Sequence, residues 1–279
     1  MVILRSWPQP ERSCLRQAAP AIFLALIAFA GMGCIGEEPR GGEPTPVVPV
    51  KPDPPRRDEG TRRFEQFLDI AFGKVLVARD FHCVLFRTEM VGDALKPEEE
   101  IDFYDRFEPQ SLRLEWIGER YKGRQLIYVA GSNDNKILVR PEGVVRILTV
   151  KKTLRFSLDS TIVRMYGRYP PDVAGYNNLM KKIVDIYGRA KKLNLGWVKA
   201  SPPAAEAGHK VQCFEVMLEP KLLDVDVSKM VIWFDLQTLL PVHTVFYDAG
   251  GRMVEDYGWR DLQLNVGLTD DDFTFQDQP

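Results

Sequence analysis

From about residue 80 onward, short segments of strand character follow one another, with turn residues between them. Few intervals are long enough to carry a crossover helix. Ser111-Leu-Arg-Leu-Glu-Trp116 alternates strictly, placing Leu112, Leu114 and Trp116 on one face and Arg113 and Glu115 on the other. Similar segments are Phe81–Met90, Glu99–Phe107, Gln125–Ala130, Lys136–Arg140, Val144–Val150 and Thr153–Leu158. Later come Lys210–Glu219, Met230–Leu236, Leu240–Tyr247 and Met253–Leu262. "GSNDNK" at 131–136, "RPEG" at 140–143 and "DAGGR" at 248–252 read as hairpin turns. Strands joined without crossovers pair antiparallel. The later strands are apolar on both faces, Met230-Val-Ile-Trp-Phe234 most clearly. A sheet with one wet face would alternate, so the inner face requires a cover, either helices or a lipid-like ligand.

Two helices are expected. Phe64, Phe67, Leu68, Ala71 and Val75 recur at helical spacing between Thr61 and Ala78. Tyr176, Leu179, Ile183, Tyr187 and Ala190 share a second helical face, opposite Lys181, Lys182 and Asp185, with Asp172 as its expected N-cap. The folded body is therefore expected to be one α+β, mainly β domain over residues 61–279.

What precedes it has a different character. Arg5, Arg12 and Arg16 lead into the wholly apolar run from Ala21 to Ala30. That run is shorter than the roughly 20 residues needed to cross a bilayer. With the small residues after it, residues 1–33 read as a signal peptide. Two processing readings stand. In the first, Cys34, preceded by Met32 and Gly33, is a lipid attachment point, although Gly31 occupies a place where an aliphatic residue is usual. In the second, Ala28-Phe-Ala30 is an ordinary cleavage site and a soluble protein begins at Gly31. Residues 34–60 form an extended tether, since seven of residues 36–60 are proline and no apolar period is present.

Charge and chemistry narrow the function. The chain has 37 basic and 39 acidic residues, and without residues 1–33 it is left with 34 and 38. This mild acidity lacks the basic footprint of nucleic-acid binding. No Cys/His cluster has zinc spacing. Of the cysteines beyond Cys34, Cys83 and Cys213 could pair after export, but the preferred reading is two buried, inert thiols. His82, His209 and His243 sit in or beside strands with no nucleophile motif, so they read as structural. The acidic runs Glu98–Glu100, Asp224/Asp226 and Asp270–Asp272 lack calcium-loop spacing and read as solvated turns. No glycine-rich phosphate loop is present. Neither metal nor cofactor is expected.

Three runs carry a resemblance: "LKPEEEIDFYDRFEPQSLRLEWIG" at 95–118, "GRQLIYVAGSNDNKILVRPEG" at 123–143 and "EDYGWRDLQLNVGLTDDDFTF" at 255–275. Over residues 61–275 the chain resembles a bacterial envelope family known only as a domain of unknown function. That family is similar in layout to LolA-like lipoprotein carriers and lipid-binding lipoproteins. The resemblance implies a curved antiparallel sheet of about eleven strands, an incomplete barrel wrapped around two helices, with an apolar cavity and no catalytic residues. It also implies a ligand, a lipid or an acylated lipoprotein partner, received by Leu112, Leu114, Trp116, Tyr128, Trp233, Phe234 and Trp259. From the sequence alone, each of these aromatic residues taken singly reads as ordinary sheet core, and it is the resemblance that favours the cavity for the set. The leading expectation is a lipid-anchored envelope protein facing the periplasm that binds a hydrophobic ligand. The alternatives are an envelope scaffold with a filled core and an enzyme with an unrecognised site.

Overall fold

In the computed structural model, which describes residues 58–143, 153–206, 208–223 and 225–275, thirteen strands form one sheet. The first half supplies β1 (Asp80–Val91), β2 (Ala94–Leu95), β3 (Glu99–Phe107), β4 (Gln110–Trp116), β5 (Gln125–Val129), β6 (Lys136–Arg140) and β7 (Leu154–Ser157). The second half supplies β8 (Gly196–Ala200), β9 (Ala204–Glu206), β10 (His209–Leu218), β11 (Lys229–Asp235), β12 (Pro241–Tyr247) and β13 (Met253–Leu264). Eleven of them run in the order β7-β6-β5-β4-β3-β1-β13-β12-β11-β10-β8, while β2 and β9 pair at the side of β1 and β10. Every pairing is antiparallel. The path is open, with β7 at one end and β8 at the other. Each half is a meander, and β13 returns to lie beside β1, joining the two.

The helices are α1 (Glu59–Val77), α2 (Thr161–Tyr166), α3 (Tyr176–Leu193) and the single turn α4 (Pro220–Leu223). Helix α1 begins two residues before the expected Thr61, because the Asp58 carboxylate accepts from the Thr61 N–H at 2.7 Å and caps it. The expected strand at 144–150 lies outside the described residues. β2, β8, β9, α2 and α4 were not expected. All are short, and the two-residue β2 has no periodicity to read.

The core lies between the sheet and two helices. α1 buries Phe64, Leu68, Ala71 and Val75. Phe64 meets Phe214 of β10 edge-on at 5.4 Å and Tyr187 of α3 at 4.9 Å. α3 reaches the middle of the sheet, where Tyr176 lies 5.2 Å from both Phe81 of β1 and Trp259 of β13. The two helices therefore cover the sheet from β8 to about β1.

The expected N-cap of α3 is corrected. The cap position is Gly175, at φ 106°, which has no side chain to supply a cap hydrogen bond. Asp105 of β3 takes over the role, its carboxylate accepting from the Tyr176 N–H at 3.1 Å. A Cβ on Gly175 would stand 2.5 Å from Asp105 Oδ2, so the position admits glycine for space as well as for its positive φ. Asp172, three residues earlier, instead lines the cavity described below.

Burial pushes the Asp105 carboxyl up to about 8, against the lowering effects of the Tyr176 N–H and Lys181. The folded state thus holds a proton that the unfolded chain, with its ordinary carboxyl at 3.8, releases. Stability from this group is complete below pH 4 and is lost as pH rises towards 8. Asp105→Asn keeps an oxygen for the Tyr176 N–H without the charge. We expect urea melts at pH 5, 7 and 9 to show the wild type losing about 3–5 kcal/mol relative to the variant across that range. Parallel pH profiles would refute the assignment.

Candidate functional site

Beyond α3 the inner face of the sheet is not packed. A cavity of about 930 Å³ opens there, between the sheet and the segment that carries α2 into α3. Its floor is built by alternation. Leu112, Leu114 and Trp116 come from β4, with Leu126, Val139 and Phe156 from the next three strands out. On the other flank, Leu85, Phe103, Tyr257 and Trp259 come from β1, β3 and β13. The ladder confirms the shared face, since Leu114 stands opposite both Phe103 and Leu126. The roof is α2, capped by Ser160 and contributing Ile162, Val163, Met165 and Tyr166 to the lining. No residue of α2 is buried: Ile162 is 44 % exposed, Met165 59 % and Tyr166 50 %. An apolar helix without a buried face is one whose partner is not protein core.

One end of the cavity is charged. Glu255, alternating with Tyr257 and Trp259 on β13, points to the apolar side and is fully buried. Its carboxylate accepts from Lys182 Nζ at 2.9 and 3.0 Å and from the Tyr169 hydroxyl at 2.6 Å, and it pairs with Arg168 at 3.1 Å. Lys182 also donates to the Tyr169 hydroxyl at 2.7 Å. Burial works to lower the Lys182 ammonium, but Glu255 and Tyr169 outweigh it and hold it above its ordinary value. Burial first, then Glu255, raises Tyr169. Beside this cluster, Glu89 accepts from the Tyr257 hydroxyl at 2.6 Å and the Arg168 N–H at 2.9 Å, while Arg87 donates to Glu99 at 3.0 Å. At the other end, Arg124 is held by two hydrogen bonds to Glu142, and its guanidinium lies over Tyr121, Tyr166 and Trp116. Together these groups bound an apolar space with fixed, mutually satisfied charges. Two polar atoms of its lining, Trp116 Nε1 and Asp172 Oδ1, are buried without a hydrogen-bond partner.

Of the residues expected to receive a ligand, the structure brings Leu112, Leu114, Trp116 and Trp259 together in the cavity wall. Tyr128 stands opposite Leu112 in the ladder but is not part of the wall. Phe234 lies in the packed core under α1, 5.4 Å from Phe67. Trp233 lies on the other face of β11, stacked on His243 at 4.5 Å. Cys34 lies outside the described residues. Lys182, assigned by periodicity to the solvent face of α3, instead turns into the cavity cluster. Glu255, Arg168, Tyr169 and Glu89 were not singled out from sequence. Glu255 was the legible one, because its parity with Tyr257 and Trp259 puts a carboxylate on an apolar face.

Most of the described groups weighed for chemistry have structural partners, Asp226 pairing with Arg168, while Asp224 lies outside the described residues. His82 hydrogen-bonds Asp102 at 2.6 Å, His209 Asp235 at 3.0 Å and His243 Asp256 at 2.7 Å. Glu99 pairs with Arg87, Glu100 with Arg260 and Asp270 with Arg106, and Asp272 closes a capping box with Thr269. Among the described residues, no group of three or more His, Cys, Asp or Glu could hold a metal ion. No disulfide joins Cys83 to Cys213; both are buried, and burial pushes the Cys83 thiol well up.

Replacing Glu255 by Gln leaves the Lys182 and Arg168 cations facing an uncharged amide. We expect Glu255→Gln to cost about 3 kcal/mol in denaturant melts, since removing one partner strands the others. Tyr257→Phe should cost about 1 kcal/mol, the scale of one hydrogen bond. Equal, small losses for both would mean that the cluster does not brace this end of the cavity.

A family described as "Protein of unknown function (DUF1571)" matches residues 78–278. Among curated proteins, none matches the chain by sequence. Three solved structures show similarity in fold. The lipoprotein LppX of Mycobacterium tuberculosis is 11% identical, with 75% of this chain and 98% of that one covered, at a TM-score of 0.43. A DUF1329 family protein of Desulfovibrio piger is 13% identical, with 75% and 96% covered, at 0.36. A LolA superfamily protein of Nitrosomonas europaea is 12% identical, with 76% and 97% covered, at 0.32.

Proposed function

The chain belongs to the DUF1571 family, and we propose that it is a non-enzymatic binding protein of the bacterial envelope that holds a hydrophobic ligand, a lipid or the acyl chain of a lipoprotein, in its cavity. The observation that carries this reading is the pairing of an apolar cavity of about 930 Å³ with a roof helix that buries none of its apolar residues. The volume lies within the range of about 300–1,000 Å³ typical of small-molecule sites. An acyl chain needs no hydrogen bonds from its surroundings, and the wall from Leu85 to Phe156 offers almost none. Each methylene taken out of water contributes about 0.8 kcal/mol, so a long chain supplies ample driving force.

The reading includes the anchor. Cys34, between the apolar run and the proline-rich tether, would carry the lipid and hold the domain off a membrane facing the periplasm. Cleavage after Ala30 would instead release a soluble protein with the same cavity.

Gentle purification followed by native mass spectrometry tests the ligand. A lipid-sized mass adduct is expected, and a clean apo mass would favour a scaffold. Leu114→Ala should cost near 2 kcal/mol, the low end for a buried leucine, because it enlarges an existing space rather than creating one. Trp116→Ala should lose more lipid than Leu114→Ala. A large stability loss with unchanged lipid content would mark this face as ordinary core. For the anchor, the full precursor is expressed with a labelled fatty acid beside Cys34→Ser. Label in the wild type alone is expected; equal labelling, or a mature protein starting at Gly31, would overturn the anchor.

A further inference from the structure

The apolar wall of the cavity contains a polar donor that the protein leaves unanswered. Trp116 is 4 % exposed, and its Nε1 is buried without a hydrogen-bond partner. A stranded buried donor destabilises a fold, and a phenylalanine would fill this part of the wall without one. The charged groups beside the ring do not relieve it. The guanidinium carbons of Arg124 and Arg87 lie 5.6 and 6.0 Å from the ring centre, and a guanidinium only donates. Their carboxylate partners are engaged: Glu142 accepts from Arg124 at 2.7 and 2.8 Å, and Glu99 from Arg87 at 3.0 Å. Asp172 Oδ1 is a different case, because Asp172 is only half-buried and its second carboxylate oxygen is not stranded. Trp116 also stands at the rim. Leu112 and Leu114 continue its face inward, while the next residue, Ile117, is 37 % exposed, and Tyr166 of the roof lies over Arg124.

The geometry points to an acyl carbonyl as the group that answers Trp116: the ligand is an ester- or amide-linked acyl lipid, with its chains on the wall of β4 and its carbonyl accepting from the indole N–H at the rim. That oxygen is the acceptor such a lipid carries where chain gives way to head. It is neutral, which suits a place where each guanidinium beside the ring is matched by its own carboxylate. A free fatty acid would bring a carboxylate and find neither of these cations unpaired. Nε1 is covered in this structure, so the side chains at the rim part as the carbonyl enters, and α2, which buries no residue, is the element that can give way. A diacylglycerol phospholipid and the S-diacylglyceryl group of a lipoprotein both carry this carbonyl.

The inference rests on the cavity reading above, and the two can fail separately. The full chain is titrated with matched ester and ether lipids. These are dioctanoyl and dioctyl phosphatidylglycerol, and a cysteine peptide carrying a dioctanoylglyceryl or a dioctylglyceryl thioether. The ether forms keep the chains and the head and lack the carbonyls. Binding is followed by native mass spectrometry, and the Trp116 indole proton by NMR, assigned with Trp116→Phe. In at least one pair the ester is expected to bind about tenfold tighter than its ether, the scale of one hydrogen bond. The pair that shows the preference names the source, phospholipid or lipoprotein. Trp116→Phe should abolish the preference, any effect of the smaller ring falling on both forms alike. In the wild type the indole proton should move downfield with the ester alone, a readout that does not depend on the variant folding. The carbonyl assignment is overturned if ester and ether bind the wild type equally, if the preference survives in Trp116→Phe, or if the indole proton moves equally with both. Equal binding of the two forms would leave the cavity reading standing. Failure of every probe, the ethers included, would overturn the cavity reading itself.

Discussion

The controlling constraint is a mismatch of widths. Eleven strands at about 4.8 Å spacing make an inner face roughly 50 Å across, and that face is apolar along most of its length. A helix with its side chains covers about 10 Å. α1 and α3 together can cover less than half of such a face, and they do so from β8 to about β1. The remaining strands, β3 to β7, are as apolar as those under the helices, Leu114, Leu126, Val139 and Phe156 among them. With no third long helix among the described residues, the sheet has to curve and the chain has to throw a short strap across. The cavity is what two helices leave uncovered.

An apolar space of this kind would ordinarily be squeezed out, since close packing is the favoured state of a protein interior. Here polar contacts of fixed length span it. Gln110 of β4 donates to the carbonyls of Pro171 and Ala174 at 3.3 and 3.4 Å, and Asp105 of β3 holds the start of α3. At the other end the backbone N–H of Arg168 is tied to Glu89, and its side chain to Glu255. Such bonds weaken steeply if stretched or bent, so they set the height of the strap. Apolar contacts, which tolerate many geometries, would draw the strap down onto the sheet. Buried ion clusters are poor sources of net stability. Their role here is as spacers that hold the strap above the sheet.

The sequence made the sheet legible because strand alternation is local. Glu99–Phe107 and Lys136–Arg140 are found at their expected bounds, and the shared face of Leu112, Leu114 and Trp116 follows from parity alone. Alternation tells which residues share a face and is silent on which face turns inward when both are apolar. Hence Trp116 and Trp233 read alike in the sequence, yet one lines the cavity and the other stacks on His243. The start of α3 was hidden for a different reason. Asp172 has the right residue type for a cap, but the cap comes from Asp105, 71 residues away, and only Gly175 leaves it room.

The charged cluster shows why a site of this kind escapes motif reading. Lys182 and Glu255 lie 73 residues apart, and Tyr169 and Glu255 86 apart, on three different elements. No spacing rule connects them, and each has an innocent local role: a lysine on an amphipathic helix, a tyrosine in a loop, an acid in a strand. What could be read was an inconsistency. A carboxylate at Glu255, in step with Tyr257 and Trp259, would be buried among apolar residues with no local partner, a placement costing several kcal/mol unless it is paired. Such an acid implies a cation arriving from elsewhere in the chain. α3 is the long helix with a lysine pair, Lys181 and Lys182, near its cavity end, and Lys182 is the one turned toward the sheet. The unsatisfied charge in a strand thus points to the helix face opposite it. Where that face also borders an uncovered apolar wall, the pair marks the polar end of the cavity.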